Sequence, residues 1–419
     1  MIVSPDGRFT LVLRSRMQLD TATLNERGTT KSGTIVRRAY LGVEGSAFES
    51  FWYELRSDFG GQHLALRHPL INVARLAYRF ENISGPQSLL RINAGLLKPI
   101  FTYEDSVSSA ALTFLERADV VNVATSVYGG GRPRAGVELT FQQESAFRNG
   151  DNFVVSAALT GSDLSGRNGA VPPSTAAQGT HILGRLAYHL AFDEDTGIQI
   201  GGSASHGITR ARGIGTVMLQ DYPEIRAGAT RLVSTGPIAV AGGWLWGLEA
   251  AANLRNIFLS GEYYSLHVER GAPCRPCMAA SEAQFSGWYA SASWLVTGER
   301  KAYQPNASNN GFATFGAPLV AAPALLSGGA GAWEVALRFS DLDLNWPAAA
   351  LGFACNLERA GCIRGGEQKI WTVGLNCYVN DNLRVMVNYL IGDVERLSDP
   401  SESPTGRFSA IALRLQFTN

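Results

Sequence analysis

No stretch of the 419-residue chain comes near eighteen consecutive apolar residues, which excludes a transmembrane helix. That absence leaves open the other way to satisfy every backbone group in lipid, a closed β-sheet. Charge is sparse too. Charged residues make up 17% of the chain and cancel to a formal net charge of zero, which argues against nucleic acid as a partner. Lysine is nearly missing: of 36 basic residues only Lys31, Lys98, Lys301 and Lys369 are lysines, and all the others are arginine. Codon usage in a GC-rich genome would produce that excess. So would a need to hold phosphate-like groups, because the planar guanidinium fork suits them better than an ammonium does.

Cysteine and histidine are too few and too scattered for most site chemistry. Cys274 and Cys277 form a C-x-x-C in a Pro-rich stretch, and Cys355 and Cys362 lie close together in another. With no second C-x-x-C and no neighbouring histidine, zinc is not expected. Two small loop disulfides among these four cysteines, in an oxidising compartment, fit better, with Cys377 left over. His181, His189, His206 and His267 show no triad or metal spacing. Gly201-Gly202-Ser203-Ala204-Ser205 sits in an alternating stretch, where the strand-to-helix turn of a nucleophile elbow has no place. Gly129-Gly130-Gly131-Arg132 lacks the Gly-Lys-Ser/Thr ending of a phosphate loop. No catalytic residue, metal or cofactor is therefore expected, and the chain does not read as an enzyme.

What is present, from end to end, is alternation with period two. Phe9, Leu11, Leu13, Met17 and Leu19 alternate with Thr10, Arg14, Arg16, Gln18 and Asp20. Phe51, Tyr53 and Leu55 alternate with Glu54, Arg56 and Asp58, and Ala74, Leu76, Tyr78 and Phe80 with Arg75, Arg79 and Glu81. The chain closes with Ile411, Leu413, Leu415 and Phe417 against Arg414 and Gln416. Such segments run roughly 10 to 13 residues, near the ~9–11 a tilted strand needs to cross a bilayer, whereas soluble strands average about 5–6. Tight turns at Ala47–Glu49, Asp193–Thr196, Leu254–Asn256 and Asn380–Asn382 alternate with long loops at Gly60–Pro69, Lys98–Gly131, Gly161–Gly179, Arg270–Glu282 and Asn345–Gly366. Short turns on one side and long loops on the other mark an outer-membrane barrel. Grease then faces acyl chains, and ionic side chains face a wet interior. The opening Met-Ile-Val-Ser-Pro-Asp-Gly has neither a basic n-region nor an apolar h-region, so numbering is expected to begin near a mature terminus.

Roughly seventeen alternating stretches can be counted, but both termini at one membrane face require an even number. Pro223–Thr235 is therefore placed in one long loop, His206–Gly242. The expectation is a single all-β domain over residues 1–419: a sixteen-stranded antiparallel transmembrane β-barrel whose segments 98–131 and 206–242 fold inward. Gly298–Gly331 then falls on the short-turn side despite its length, which parity alone does not explain.

Several stretches resemble the phosphate-selective porin family, the O and P type outer-membrane porins. They include Arg37–Gly45, Lys98-Pro99, Thr113-Phe114-Leu115-Glu116-Arg117, Arg231 with Ser234-Thr235-Gly236, Gly331-Ala332-Trp333-Glu334 and Leu413-Arg414-Leu415-Gln416-Phe417. The resemblance spans nearly the whole chain in order. It implies a homotrimer in the bacterial outer membrane, embedded in its lipid, with third and fifth loops folded inward. It also implies arginines that lead small anions such as phosphate or polyphosphate to a constriction. Lys98 is the one lysine in or near the third loop, so anion preference is the broader expectation and phosphate the narrower one.

An anion entering a narrow channel loses hydration, and fixed donors must replace it without binding so tightly that release stalls. A ladder of guanidiniums does this stepwise. The pore-lining candidates are Arg75, Arg79, Lys98, Arg117, Arg132, Arg134, Arg210, Arg212, Arg226 and Arg231. Glu54, Asp58, Glu81 and Glu138 are placed to neutralise wall arginines, which would leave selectivity mild. The alternative is a structural or adhesion barrel whose inward loops plug the lumen.

Overall fold

The protein is described here from a computed structural model, which covers residues 1–61, 70–163, 179–207, 215–270, 282–305, 312–324, 328–346, 363–395 and 405–419. Sixteen antiparallel strands form one closed barrel. They are β1 (Thr10–Glu26), β2 (Thr29–Ala47), β3 (Phe51–Asp58), β4 (Leu70–Glu81), β5 (Ser88–Leu97), β6 (Arg134–Glu144), β7 (Asn152–Asp163) and β8 (His181–Ala191). The circuit continues with β9 (Thr196–Gly207), β10 (Ile238–Leu254), β11 (Ile257–Arg270), β12 (Glu282–Leu295), β13 (Ala332–Trp346), β14 (Ile363–Tyr378), β15 (Leu383–Glu395) and β16 (Thr405–Thr418). Each strand pairs with its neighbour in sequence, and β1 pairs with β16 through Met17↔Phe417 and Asp20↔Arg414. Among the described residues no helix is long and apolar enough to cross a membrane.

The period-two pattern decides which way each side chain points. Leu76 is 63% exposed and Leu413 41%, whereas Arg414, one residue on, is fully enclosed. Apolar residues line the outside and ionic ones the inside, the reverse of a soluble protein. Outward aromatics gather in two belts. Trp288, Phe339 and Trp371 sit ring to ring at 5.2 and 4.8 Å toward the long-loop end. Phe51, Tyr78 and Phe80 do so at 4.8 and 4.6 Å toward the short-turn end. Amphipathic rings at both boundaries are the girdles of a membrane barrel.

Two connections depart from the sequence expectation. On the long-loop side, β1 and β2 are joined by a two-residue turn, with Arg27 at φ 49° and Gly28 at φ 80°. The pair has the positive φ values of a hairpin turn that follows strand twist, and its strands of 17 and 19 residues form a tall hairpin in place of a loop. The second departure is the long connection 296–331 on the short-turn side. Its described residues 301–305 and 312–315 turn back into the lumen, which is more than a tight turn could do. There Tyr303–Gln304 and Thr314–Phe315 pair as a small hairpin. Phe312 and Ala313 are buried against Val154 and Ala187. Arg185 of β8, ion-paired to Glu249 at 2.7 Å, donates to the carbonyls of Phe312 and Ala313 at 3.0 Å each.

Leu76 sits mid-strand on the outward face, so it tests that assignment directly. Leu76→Arg is expected to lower stability in lipid vesicles by about 2–4 kcal/mol, measured by denaturant unfolding. A change within about 0.5 kcal/mol would place this face in water.

Candidate functional site

The interior is built by two segments laid on the wall. After β5 the chain enters the lumen as residues 98–133, carrying α1 (Tyr103–Ser106) and α2 (Asp119–Val127). At the first turn the amides of Tyr103 and Glu104 donate to the Glu262 carboxylate of β11 at 2.9 and 3.0 Å. Along the second helix, Val120, Val121, Val123 and Ala124 are fully buried in a cluster with Leu266, Phe285, Tyr289, Leu342 and Ile370, whose side chains face inward from β11 to β14. The expectation of a uniformly wet lumen is thereby corrected. One arc of the inner wall is apolar because it is covered by a helix rather than by water. The second segment, between β9 and β10, supplies Leu219 and Ile225 to the same cluster.

Wall arginines pin the first segment by its carbonyls. Arg338 donates to Glu116 O at 3.1 Å, Arg384 to Leu112 O at 2.7 Å and Arg414 to Leu115 O at 2.5 Å. Arg16 adds bonds to the Ser109 and Ser108 hydroxyls at 2.6 and 3.0 Å. Buried carbonyls need donors, and an arginine offers several from one side chain.

Glu116 is the meeting point. Arg37 grips it through both oxygens at 2.6 and 2.8 Å, Arg414 lies at 3.0 Å, Arg38 at 3.8 Å and Arg226 at 4.0 Å. Arg37 and Arg38 both reach it because the β1–β2 register slips between Gln18 and Leu19; a bulge lets consecutive side chains turn to one face. Burial alone would raise the Glu116 carboxyl, but Arg37, Arg38 and Arg414 hold it well below the usual carboxylate range. Two further carboxylates share the guanidiniums: Asp20 binds Arg414 at 2.6 Å and Asp221 binds Arg226 at 3.0 Å. Four cations thus face three anions.

The sequence-derived candidates divide between this cluster and its supports. Arg226 joins it and lies over the Tyr222 ring at 4.4 Å, with Arg231 over the same ring at 4.8 Å. Arg117 and Lys98 share Asp105, at 3.5 and 2.7 Å, and Arg117 also donates to Glu104 O at 2.9 Å. Burial outweighs Asp105 and brings Lys98 down to about 8. Spatially Lys98 is not the only lysine near this segment, since Lys301 reaches the Thr113 hydroxyl at 2.5 Å while paired with Glu334 at 2.8 Å. Arg75 pairs with Glu54 at 2.8 Å, and Arg79 is half-buried above it on β4. Arg132 is half-buried. Arg134 is fully enclosed, donating to Gly161 O at 3.1 Å and Ser126 O at 3.2 Å, which makes it a support of the segment's return to the wall. Arg210, Arg212, Cys274, Cys277, Cys355 and Cys362 lie outside the described residues. Arg37, Arg38, Arg338 and Arg414 were not singled out for this role; the tandem Arg37-Arg38, which breaks alternation, was the available signal.

On the outer face His267 has polar partners that spacing along the chain does not reveal: its Nε2 lies 2.9 Å from Ser265 Oγ and its Nδ1 2.5 Å from Glu282 Oε1. The sequence hid them because Glu282 reaches His267 only through the β11–β12 register.

A family model described as phosphate-selective porin O and P matches residues 12–418. No curated protein matches the chain. Among solved structures, similar folds include an anion-selective porin from Comamonas acidovorans (11% identity, 98% of this chain and 100% of that one, TM-score 0.55). They also include in-vitro folded OmpT, an outer membrane protein of Vibrio cholerae in trimer form (10% identity, 98% and 99%, TM-score 0.50). A third is the outer membrane channel DcaP of Acinetobacter baumannii (11% identity, 100% and 99%, TM-score 0.51).

Asp119, at the start of α2, is the titratable hinge of this packing. It accepts from Gln368 at 2.7 Å, and burial together with nearby Glu224 raises it well above its ordinary 3.8. The fold favours its protonated form, so its contribution is complete below the ordinary value and is lost as pH rises through the raised one. Asp119→Asn is expected to flatten that fall, read as thermal unfolding in detergent across pH 4–9. An unchanged pH slope would remove Asp119 from this role.

Proposed function

From the family to which this chain belongs, the phosphate-selective porin O and P family, and from the cations gathered on Glu116, we propose that this outer-membrane porin passes small anions, with phosphate or polyphosphate as the expected cargo. The observation that carries the reading is the excess of guanidinium over carboxylate where the two inward segments meet β1, β2 and β16. An anion stripped of water there finds charged donors held in place by packing. Arg226 and Arg37 are the partly exposed members, so they are the ones an anion touches.

The carboxylates set the strength of the interaction. Each guanidinium is already shared with Glu116, Asp20 or Asp221, so an incoming anion competes for donors rather than meeting bare charge. Such a site favours passage over capture, and selectivity is mild. The Vibrio cholerae relative is a trimer, and a trimer is the assembly proposed here as well.

A second reading also has an observation behind it. Among the described residues the lumen holds segments 98–133, 215–237, 301–305 and 312–315, and a barrel so filled would serve as a structural or adhesion platform. Planar-bilayer recording separates the two. The channel reading expects single-channel currents, a reversal potential favouring chloride, and block of that current by phosphate. Arg226→Ala and Arg231→Ala are expected to weaken the block, the former by about ten-fold, the worth of one charge-assisted hydrogen bond of roughly 1.5 kcal/mol. Glu116→Gln is expected to move the reversal potential further toward anions. Cation preference without phosphate block defeats the proposal, and negligible conductance supports the plugged barrel.

A further inference from the structure

The outward face of β10–β12 carries polar chemistry that the lumen does not use. Ser265 and His267 lie two residues apart on β11, so they share a face with the exposed Tyr263 and Leu259. The register sets Trp244 and Gln284 opposite His267, and Trp246 and Ser286 opposite Ser265. Glu282, two residues before Gln284 on β12, therefore falls diagonal to His267.

The distances form a directed relay. Glu282 Oε1 is 2.5 Å from His267 Nδ1, and His267 Nε2 is 2.9 Å from Ser265 Oγ. A carboxylate on Nδ1 fixes the tautomer with the proton there, leaving Nε2 as the acceptor of the serine proton. Trp244 stacks on the imidazole at 3.6 Å with 10° between the planes, which locks the ring's orientation. Gln284, itself exposed, donates from Nε2 to Ser265 Oγ at 3.1 Å. Ser265 is fully buried beneath these groups, so Gln284 is the one that must swing aside.

The position of the relay defines its substrate. Trp246, Tyr263 and Trp288, 38%, 36% and 41% exposed, form the aromatic belt on these strands. Ser265 is level with Trp246 of that belt, and His267 and Glu282 lie beyond it on the long-loop side, where lipid changes from acyl chain to headgroup and acyl-ester linkages sit. We propose that Ser265, His267 and Glu282 are an ester-cleaving site on the outer wall of the barrel, taking acyl esters of membrane amphiphiles.

In the first step Ser265 Oγ attacks the ester carbonyl carbon while His267 Nε2 takes the hydroxyl proton. The carbon–oxygen bond to the alcohol then breaks, and His267 returns that proton to the departing oxygen. Water attacks the acyl-serine in the second step, again giving a proton to His267, and the acid leaves as Ser265 recovers its hydroxyl. Glu282 remains ionised and steadies the imidazolium. The Gln284 amide, displaced from Oγ, is within reach of the developing oxyanion. A structural polar trio would have the same hydrogen bonds but no turnover. The inference does not rest on the channel reading, because no residue of the relay faces the lumen.

The test uses the full-length protein in mixed detergent–phospholipid micelles, with a fluorophosphonate probe and a long-chain p-nitrophenyl ester. The expected result is probe labelling of the folded barrel that disappears in Ser265→Ala, with ester turnover falling at least ~100-fold. His267→Ala is expected to match it, while Ser291→Ala, on the lumen-facing side of β12, leaves both signals unchanged. Glu282→Gln is expected to reduce turnover while the barrel stays folded and still labels with the probe at Ser265, a split between turnover and labelling that a purely structural role would not give. Heat-modifiable migration on gels reports that each variant is folded, and bilayer conductance of Ser265→Ala is expected to equal that of the parent. Labelling that survives Ser265→Ala, or folded parent protein with neither labelling nor turnover, overturns the proposal.

Discussion

In hydrocarbon, an unpaired backbone amide or carbonyl has no water to turn to, and its exposure costs several kcal/mol. Everything else in this molecule follows from meeting that demand with strands. A sheet satisfies its interior groups but not its edges, so the sheet closes, β1 on β16. Closure leaves each side chain only two directions. With lipid on one of them, the apolar half of the alternation must take the outside, and the polar half is delivered to an enclosed volume that has to be made stable in its own right.

The interior meets this second demand through arginine. Loops brought inside a barrel carry carbonyls that helices and strands do not satisfy, and Arg338, Arg384 and Arg414 reach in from the wall to do so. Their charge is in turn offset by carboxylates on the same loops, Glu104 and Glu116 among them. The same side chains therefore hold the loops in place and are the ones proposed above to meet an ion. Under that proposal structure and selectivity cannot be tuned separately at Glu116, where loosening one contact changes both.

The fold was legible because its signal is redundant. Sixteen strands repeat one alternation, and parity corrected the count by demoting Pro223–Thr235, which holds only the short pairing Gln220–Asp221 with Val233–Ser234 around it. The interior was less legible. Alternation says that Arg414 points inward but not that it meets Asp20, nearly the whole chain away. Arg134 reads like any wall arginine, and only its enclosure by Gly161 and Ser126 separates it from Arg226. The dry core around α2 was hidden because Asp119–Val127 follows a helical rather than a strand period. The Ser265–His267–Glu282 relay was hidden for another reason, since strand register, not spacing along the chain, brings Glu282 to the ring.

Residues 301–305 and 312–315 enter the barrel from the mouth opposite to residues 98–133, and the two touch: Lys301 bonds Thr113, and the Phe315 amide lies 3.4 Å from the Tyr103 hydroxyl. Neither filling can therefore be withdrawn without disturbing the other, and the two ends of the conduit are mechanically joined along its axis. It follows also that the inner layer belongs to assembly rather than to later adjustment. Once the first and last strands zip together, the cargo of loops is already aboard, so the ring must close around its contents.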